Sequence, residues 1–165
     1  MPFQNSAKFG PVTLTSDVNR AYRGIKNNIT KAAEKMPEES YGFQPVPEER
    51  PFGLWVAHIA DSQVDSCSRI NGELKDIHAE RRKGKAELLA ALRESFDICD
   101  VVYGQTTEAN ALEGVPTFRG TMPRIAALYG NNAHDQECYG NMAVYLRLKG
   151  LVPPSSEGQP PPIKR

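Results

Sequence analysis

Apolar residues recur along this chain at alternating steps of four and three, and stretches rich in Pro, Gly and charge interrupt them. Val18, Tyr22, Ile25, Ile29, Ala32 and Met36 form the first such stripe, the signature of a helix that turns one face to a core. Ser16 or Thr15 is placed to cap this helix and Pro37 to end it, predicting a helix over 16–36. Residues 37–50 are Pro- and Glu-rich and read as an ordered loop in which Tyr41 and Phe43 are packing anchors. A second helix is predicted over 51–71, with Asn71–Gly72 as its stop. Leu54, His58, Asp61 and Asp65 share one of its stripes. The charged segment Glu73–Lys85 carries His78, which reads as a surface residue. A third helix over 85–103 points Leu88, Leu92, Phe96, Cys99 and Tyr103 inward. The connection Gln105–Gly120 is long enough to cross the end of a bundle. The fourth helix is predicted over 121–149, opening at Thr121-Met122-Pro123 and stopping at Gly150.

No stretch alternates as a strand would over a useful length, and there is no internal repeat or glycine-rich phosphate loop. Four long amphipathic helices without a sheet predict an all-α four-helix bundle. The expected organisation is a lead-in over 1–15, the bundle over 16–150 and a Pro-rich tail over 151–165 that is extended or disordered.

Composition changes the picture mainly by exclusion. At 165 residues the chain is long enough for one sizeable core. Its formal net charge is zero, so no nucleic acid and no anionic membrane is an expected partner. No run approaches the length of a membrane span, and the N-terminus shows no charged-then-apolar leader, so a cytoplasmic location is expected, or export if a leader has been trimmed. The three cysteines, at 67, 99 and 138, are odd in number and widely spaced. They predict no disulfide framework, a reducing compartment, and Cys67 and Cys99 as small core fillers.

The chemistry concentrates in Asn131–Gly150, NNAHDQECYGNMAVYLRLKG. His134 and Cys138 stand four apart, so they project from one helix face a turn apart and reach a single metal ion. Taken alone, the pair reads equally as a hydrogen-bonded histidine and a buried cysteine. Its stripe (Asn131, His134, Cys138, Asn141, Tyr145) is polar, as in a helix that lines a site or is solvated. Beside it runs the apolar row Leu128, Tyr139, Met142 and Leu146. On the second helix His58 lies next to Leu54 and Trp55. It reads either as a core histidine or as a site residue, with Asp61 a turn further on.

The run Gly42–Asp61, GFQPVPEERPFGLWVAHIAD, together with Asn131–Gly150, resembles the two signature stretches of the DinB-like (DinB/YfiT) family. The resemblance extends over about 16–157. It implies a four-helix bundle, often dimeric, in which a histidine of the second helix and two of the last hold a divalent ion such as nickel or zinc. His58 and His134 match the first two, and Cys138 stands where the family has its third histidine. The implied activity is thiol-dependent S-transfer or isomerisation with a low-molecular-weight thiol, and many similar proteins have no known activity. Three ligands on a tetrahedral ion leave one position open. A metal-bound thiolate there would attack a small-molecule electrophile, and bound hydroxide would make the protein a hydrolase. The substitution at Cys138 equally suits a non-catalytic bundle with an altered site. Asp61 and Tyr145 are the candidate catalytic residues, with Asp65 and Asn131 as further polar candidates.

Overall fold

The computed structural model describes residues 12–158. Four helices carry the fold: α1 Leu14–Lys35, α2 Phe52–Ile70, α3 Gly84–Gln105 and α4 Arg124–Leu148, with a hairpin of β1 Gly114–Thr117 and β2 Gly120–Pro123 before α4. The expected all-α bundle is thus present, with a two-stranded hairpin added. The lead-in up to residue 11 and the tail from 159 lie outside the described residues.

The helix ends follow local chemistry. α1 begins two residues earlier than expected. Its cap is Thr13, whose side chain accepts from the Ser16 N–H while the Ser16 hydroxyl takes the Thr13 N–H at 2.9 Å, so Ser16 serves as the reciprocal partner. The loop after α1 satisfies donors at the start of α2. The Phe52 and Gly53 N–H groups donate to the carbonyls of Phe43 (3.0 Å) and Tyr41 (2.8 Å), two of the orphan donors every helix start presents. Tyr41 is buried and its hydroxyl donates to the Ala33 carbonyl at 2.7 Å, so both aromatic anchors hold as expected.

Both predicted glycine stops are present. Gly72 (φ 80°) and Gly150 (φ 74°) adopt the left-handed conformation. After α4 the Leu151 N–H donates to the Leu146 carbonyl at 2.9 Å and the Gly150 N–H to that of Arg147 at 3.0 Å. This Schellman closure needs the freedom that glycine has and other residues lack.

α1 runs antiparallel to α2 and α3, and α4 runs parallel to α1. Tyr22 of α1 meets Asp100 of α3, and Lys85 at the start of α3 meets the Met36 carbonyl beyond the end of α1. Asn132 of α4 donates to the Val18 carbonyl, and Lys35 at the end of α1 reaches the Val152 carbonyl beyond α4. α2 and α3 are parallel: Gly53 faces Leu88, and Cys67 faces Cys99. The long return is therefore the 71–83 connection, a strap that runs back along the bundle. The 106–123 connection crosses the bundle end as expected, because the antiparallel α3 and α4 that it joins lie on a diagonal and not side by side, and part of it folds up as the hairpin.

Two expectations are corrected by this topology. Cys67 and Cys99, expected as unpaired core fillers, form a disulfide with Cα atoms 5.2 Å apart. Parallel packing of α2 on α3 brings together two residues that are 32 apart in sequence, a proximity invisible to spacing alone. That pairing removes the ground on which a reducing compartment was expected. The start of the tail also packs, rather than trailing free. Pro153 is buried, the Ser155 N–H donates to the Tyr139 hydroxyl at 2.9 Å, and Lys35 pairs with Glu157. Among the described residues no helix is long and apolar enough to cross a membrane.

The core is one cluster lined by all four helices, with Ile29, Met36, Phe52, Ile59, Leu92, Phe96, Leu128, Met142 and Leu146 fully or nearly fully buried. The Tyr22 and Tyr103 rings stack within it, centroids 3.8 Å apart.

Candidate metal centre

The seam where α2 and α4 cross antiparallel carries the site. His58 enters it from the second turn of α2, and His134 and Cys138 from successive turns near the middle of α4. The site thus lies one to two turns in from the start of α2, beside the loop that ends at Arg50. The Nε2 atoms of His58 and His134 are 3.1 Å apart, and the Cys138 Sγ lies 3.6 Å from the His134 Nε2. All three donor atoms fall within 4.8 Å of one another. Both imidazoles are half-buried and Cys138 is buried, the one unpaired cysteine of the three.

The donor set fits a divalent ion. At zinc–nitrogen and zinc–sulfur lengths of about 2.0–2.1 and 2.3 Å, a tetrahedral ion separates two nitrogens by about 3.3 Å and nitrogen from sulfur by about 3.6 Å. The separations on His134 already sit near these values, so only small side-chain rotations are needed.

Protons occupy this space differently at the two histidines. Burial pushes the His58 imidazole below its ordinary range, reinforced by the Arg50 and His134 charges. Asp135 and then Cys138 push His134 up to about 10. The two Nε2 atoms face each other at hydrogen-bond distance, so a proton held between them would occupy the space an ion needs. Behind the ring, the His134 Nδ1 lies 3.8 Å from Asp135 Oδ1, too long for a hydrogen bond. Burial raises the Asp135 carboxyl, and neither of its oxygens has a hydrogen-bond partner among the described residues.

Two depressions meet at His134 and Glu137. A smaller one, about 360 Å³, is bounded by Arg50, Trp55, His58 and Cys138. A larger groove of about 640 Å³ runs between α2, α4 and the hairpin, walled by Ile70, Phe118, Met122 and Ala127. The Arg50 guanidinium stacks over Trp55 at 5.1 Å, and the Trp55 ring stands edge-on to His58 at 6.1 Å.

The other polar candidates have structural duties. Asp61 lines the groove, but its carboxylate accepts from the Ala79 and Glu80 N–H groups at 2.7 and 3.1 Å, pinning the strap to α2. Tyr145 donates to the Arg50 carbonyl at 2.6 Å and accepts from the Trp55 indole at 3.3 Å. It holds the wall of the site without facing the cluster. Asp65 pairs with Arg69 at 2.8 Å, and Asn131 is buried against Tyr103. Leu54, expected to bury His58, is 41% exposed. His78 is on the surface as expected, paired with Asp76 at 3.0 Å. Arg50, Trp55, Asp135 and Glu137 were missed. Of these, only Asp135 had a sequence signal: with Asn132 it interrupts the apolar row Leu128, Tyr139, Met142, Leu146.

A helical bundle with a His/His/Cys cluster on the α2–α4 seam is the class of protein defined so far. The DinB superfamily profile matches residues 21–140, and the chain belongs to that superfamily. Among solved structures it is similar to a DinB-like protein from Bacillus cereus (17% identity over 83% of this chain and 93% of that one, TM-score 0.69). It is also similar to a mycothiol-dependent maleylpyruvate isomerase (16% identity over 79% of this chain, TM-score 0.63), of which it spans 61%. At these identities the likeness shows the fold. No curated protein matches the chain.

Proposed function

We propose that this chain binds one divalent ion, zinc or nickel, through His58, His134 and Cys138, and promotes attack by a low-molecular-weight thiol on an electrophilic carbon. The observation that carries the reading is the convergence of three donor atoms within 4.8 Å of one another, the two separations from His134 being near tetrahedral values, beside a groove large enough for a small organic molecule. The thiol part is supported by the structural neighbour that is a mycothiol-dependent isomerase.

An ion held there makes a thiol in its open position more acidic. The protein's own residues do the rest. Ile70, Phe118, Met122 and Ala127 offer the electrophile an apolar wall, and Glu137, which borders both depressions, is placed to take the thiol proton. A sulfur–carbon bond would then form as the electrophile's leaving group departs with its bonding pair, or as its double bond opens and the adjacent carbon takes back the proton held by Glu137. Arg50 and Trp55, fixed by Tyr145, close the far side. We further propose a homodimer, on the family's habit.

Metal content of the purified, untagged protein, followed by thiol conjugation to a model electrophile with and without chelator, tests the reading. Bound zinc or nickel and a chelator-sensitive rate above the uncatalysed one are expected. A chain that takes up no metal overturns the site. Bound metal without thiol turnover reduces the protein to a metal-binding bundle, and ester cleavage without thiol assigns the open position to water. Sedimentation at micromolar concentration showing only monomer overturns the dimer.

A further inference from the structure

Asp135 is the residue that the fold explains least. It lies in the middle of α4, where its carboxylate has no helix end to cap, and it is fully buried. Neither oxygen has a hydrogen-bond partner among the described residues. A carboxylate left this way is costly, and a leucine or asparagine in its place would pack without that cost. Nearby hydroxyls offer it nothing. The Tyr22 hydroxyl donates to Asp100 at 2.8 Å, and that of Tyr103 lies against the Leu128 carbonyl and the Asn132 side-chain oxygen at 3.0 and 3.1 Å.

The near charged neighbour is the back of His134. The His134 ring turns its Nε2 toward His58 and Cys138, while its Nδ1 faces Asp135 Oδ1 at 3.8 Å. When an imidazole binds a metal through Nε2, Nδ1 must carry the hydrogen. That N–H requires an acceptor, which fixes the ring's tautomer and tilt. A shift of about 1 Å would bring the carboxylate into hydrogen-bond range.

We propose that Asp135 is a positioning residue: it accepts the Nδ1 hydrogen of His134 when a divalent ion is held at Nε2, and so sets the orientation and strength of that ligand. The inference rests on the metal reading above and adds a carboxylate behind the ligand. It also gives a role to a buried carboxylate that accepts no hydrogen bond among the described residues.

The test uses the full chain as wild type, Asp135→Asn and Asp135→Leu. Zinc affinity is measured by competition with a chromophoric chelator, the thiolate-to-cobalt absorption is recorded after cobalt(II) loading, and each metal-free variant is melted. Asp135→Asn and Asp135→Leu are expected to bind zinc about 10–100-fold more weakly, with a displaced cobalt spectrum. Both metal-free variants should still fold, so that the loss falls on zinc affinity and the cobalt spectrum, readouts that a merely structural role would not move. Wild-type zinc affinity and an unshifted spectrum in both variants overturn the positioning role while leaving the metal site standing. Loss of fold in both variants assigns Asp135 to the core and also overturns it. A wild-type chain that binds neither ion overturns this inference and the metal reading together.

Discussion

At His134 a proton and a metal ion compete for the same nitrogen. Asp135 and Cys138 hold the imidazole up at about 10, above the ordinary histidine value of about 6.5. A raised value means that the proton's contribution to the metal-free fold is fully present below about 6.5 and is lost as pH climbs through about 10. Metal binding runs the other way, because the ion must displace that proton. Zinc affinity should therefore rise with pH across this window, and competition titrations in a pH series will show it. At fixed pH, His134→Ala should abolish metal uptake with helicity nearly intact, since the side chain is half-buried on a seam. Cys138→His should keep the fold and raise nickel or zinc content, both read by elemental analysis and circular dichroism. The triad was legible because His134 and Cys138 obey one-turn spacing and His58 matches a family position. For Asp61 and Tyr145, residue type and stripe show proximity and not what a side chain is already bonded to. Asp61 is spent on two strap N–H groups, and Tyr145 on Arg50 and Trp55.

Among the elements, the four helices and both glycine stops were legible from period and turn chemistry, to within three residues at each end. The hairpin was not. Gly114–Thr117 and Gly120–Pro123 are four residues each, with prolines at 116 and 123, too short and too interrupted to show an alternating face. It displaces the start of α4 from Thr121 to Arg124, with Pro123 as the capping position. The Cys67–Cys99 bond ties α2 to α3 across 32 residues of sequence. By loop-closure entropy a bridge of this span contributes about 3–4 kcal/mol. The double Cys67→Ala, Cys99→Ala variant should lose stability on that order in urea unfolding. Unfolding the wild type with and without reductant should show the same gap.

For the whole molecule, helix order alone left the direction of α3 open. Nothing in the periodicity distinguishes a strap that returns along the bundle from a simple turn, and only contacts distant in sequence decide it. Because His58 sits on α2 and the other two donors on α4, an ion there cross-links two helices in the native state alone. Zinc at about 100 times its dissociation constant contributes about 2.7 kcal/mol, or about 5–10 °C in melting temperature for a domain this size. Thermal melts with zinc should show that rise, and excess chelator should erase it.

The parallel pairing of α2 and α3 has one more result. The strap over 71–83 is exposed nearly throughout, and Lys75 within it is open to trypsin. The Cys67–Cys99 bond spans that cut, so residues 1–75 and 76–165 remain one covalent body after cleavage. A gel should show a single band without reductant and two with it. One fragment would carry His58 and the other His134 and Cys138, so metal retained by the nicked protein would measure how well two separate polypeptides hold the pocket together.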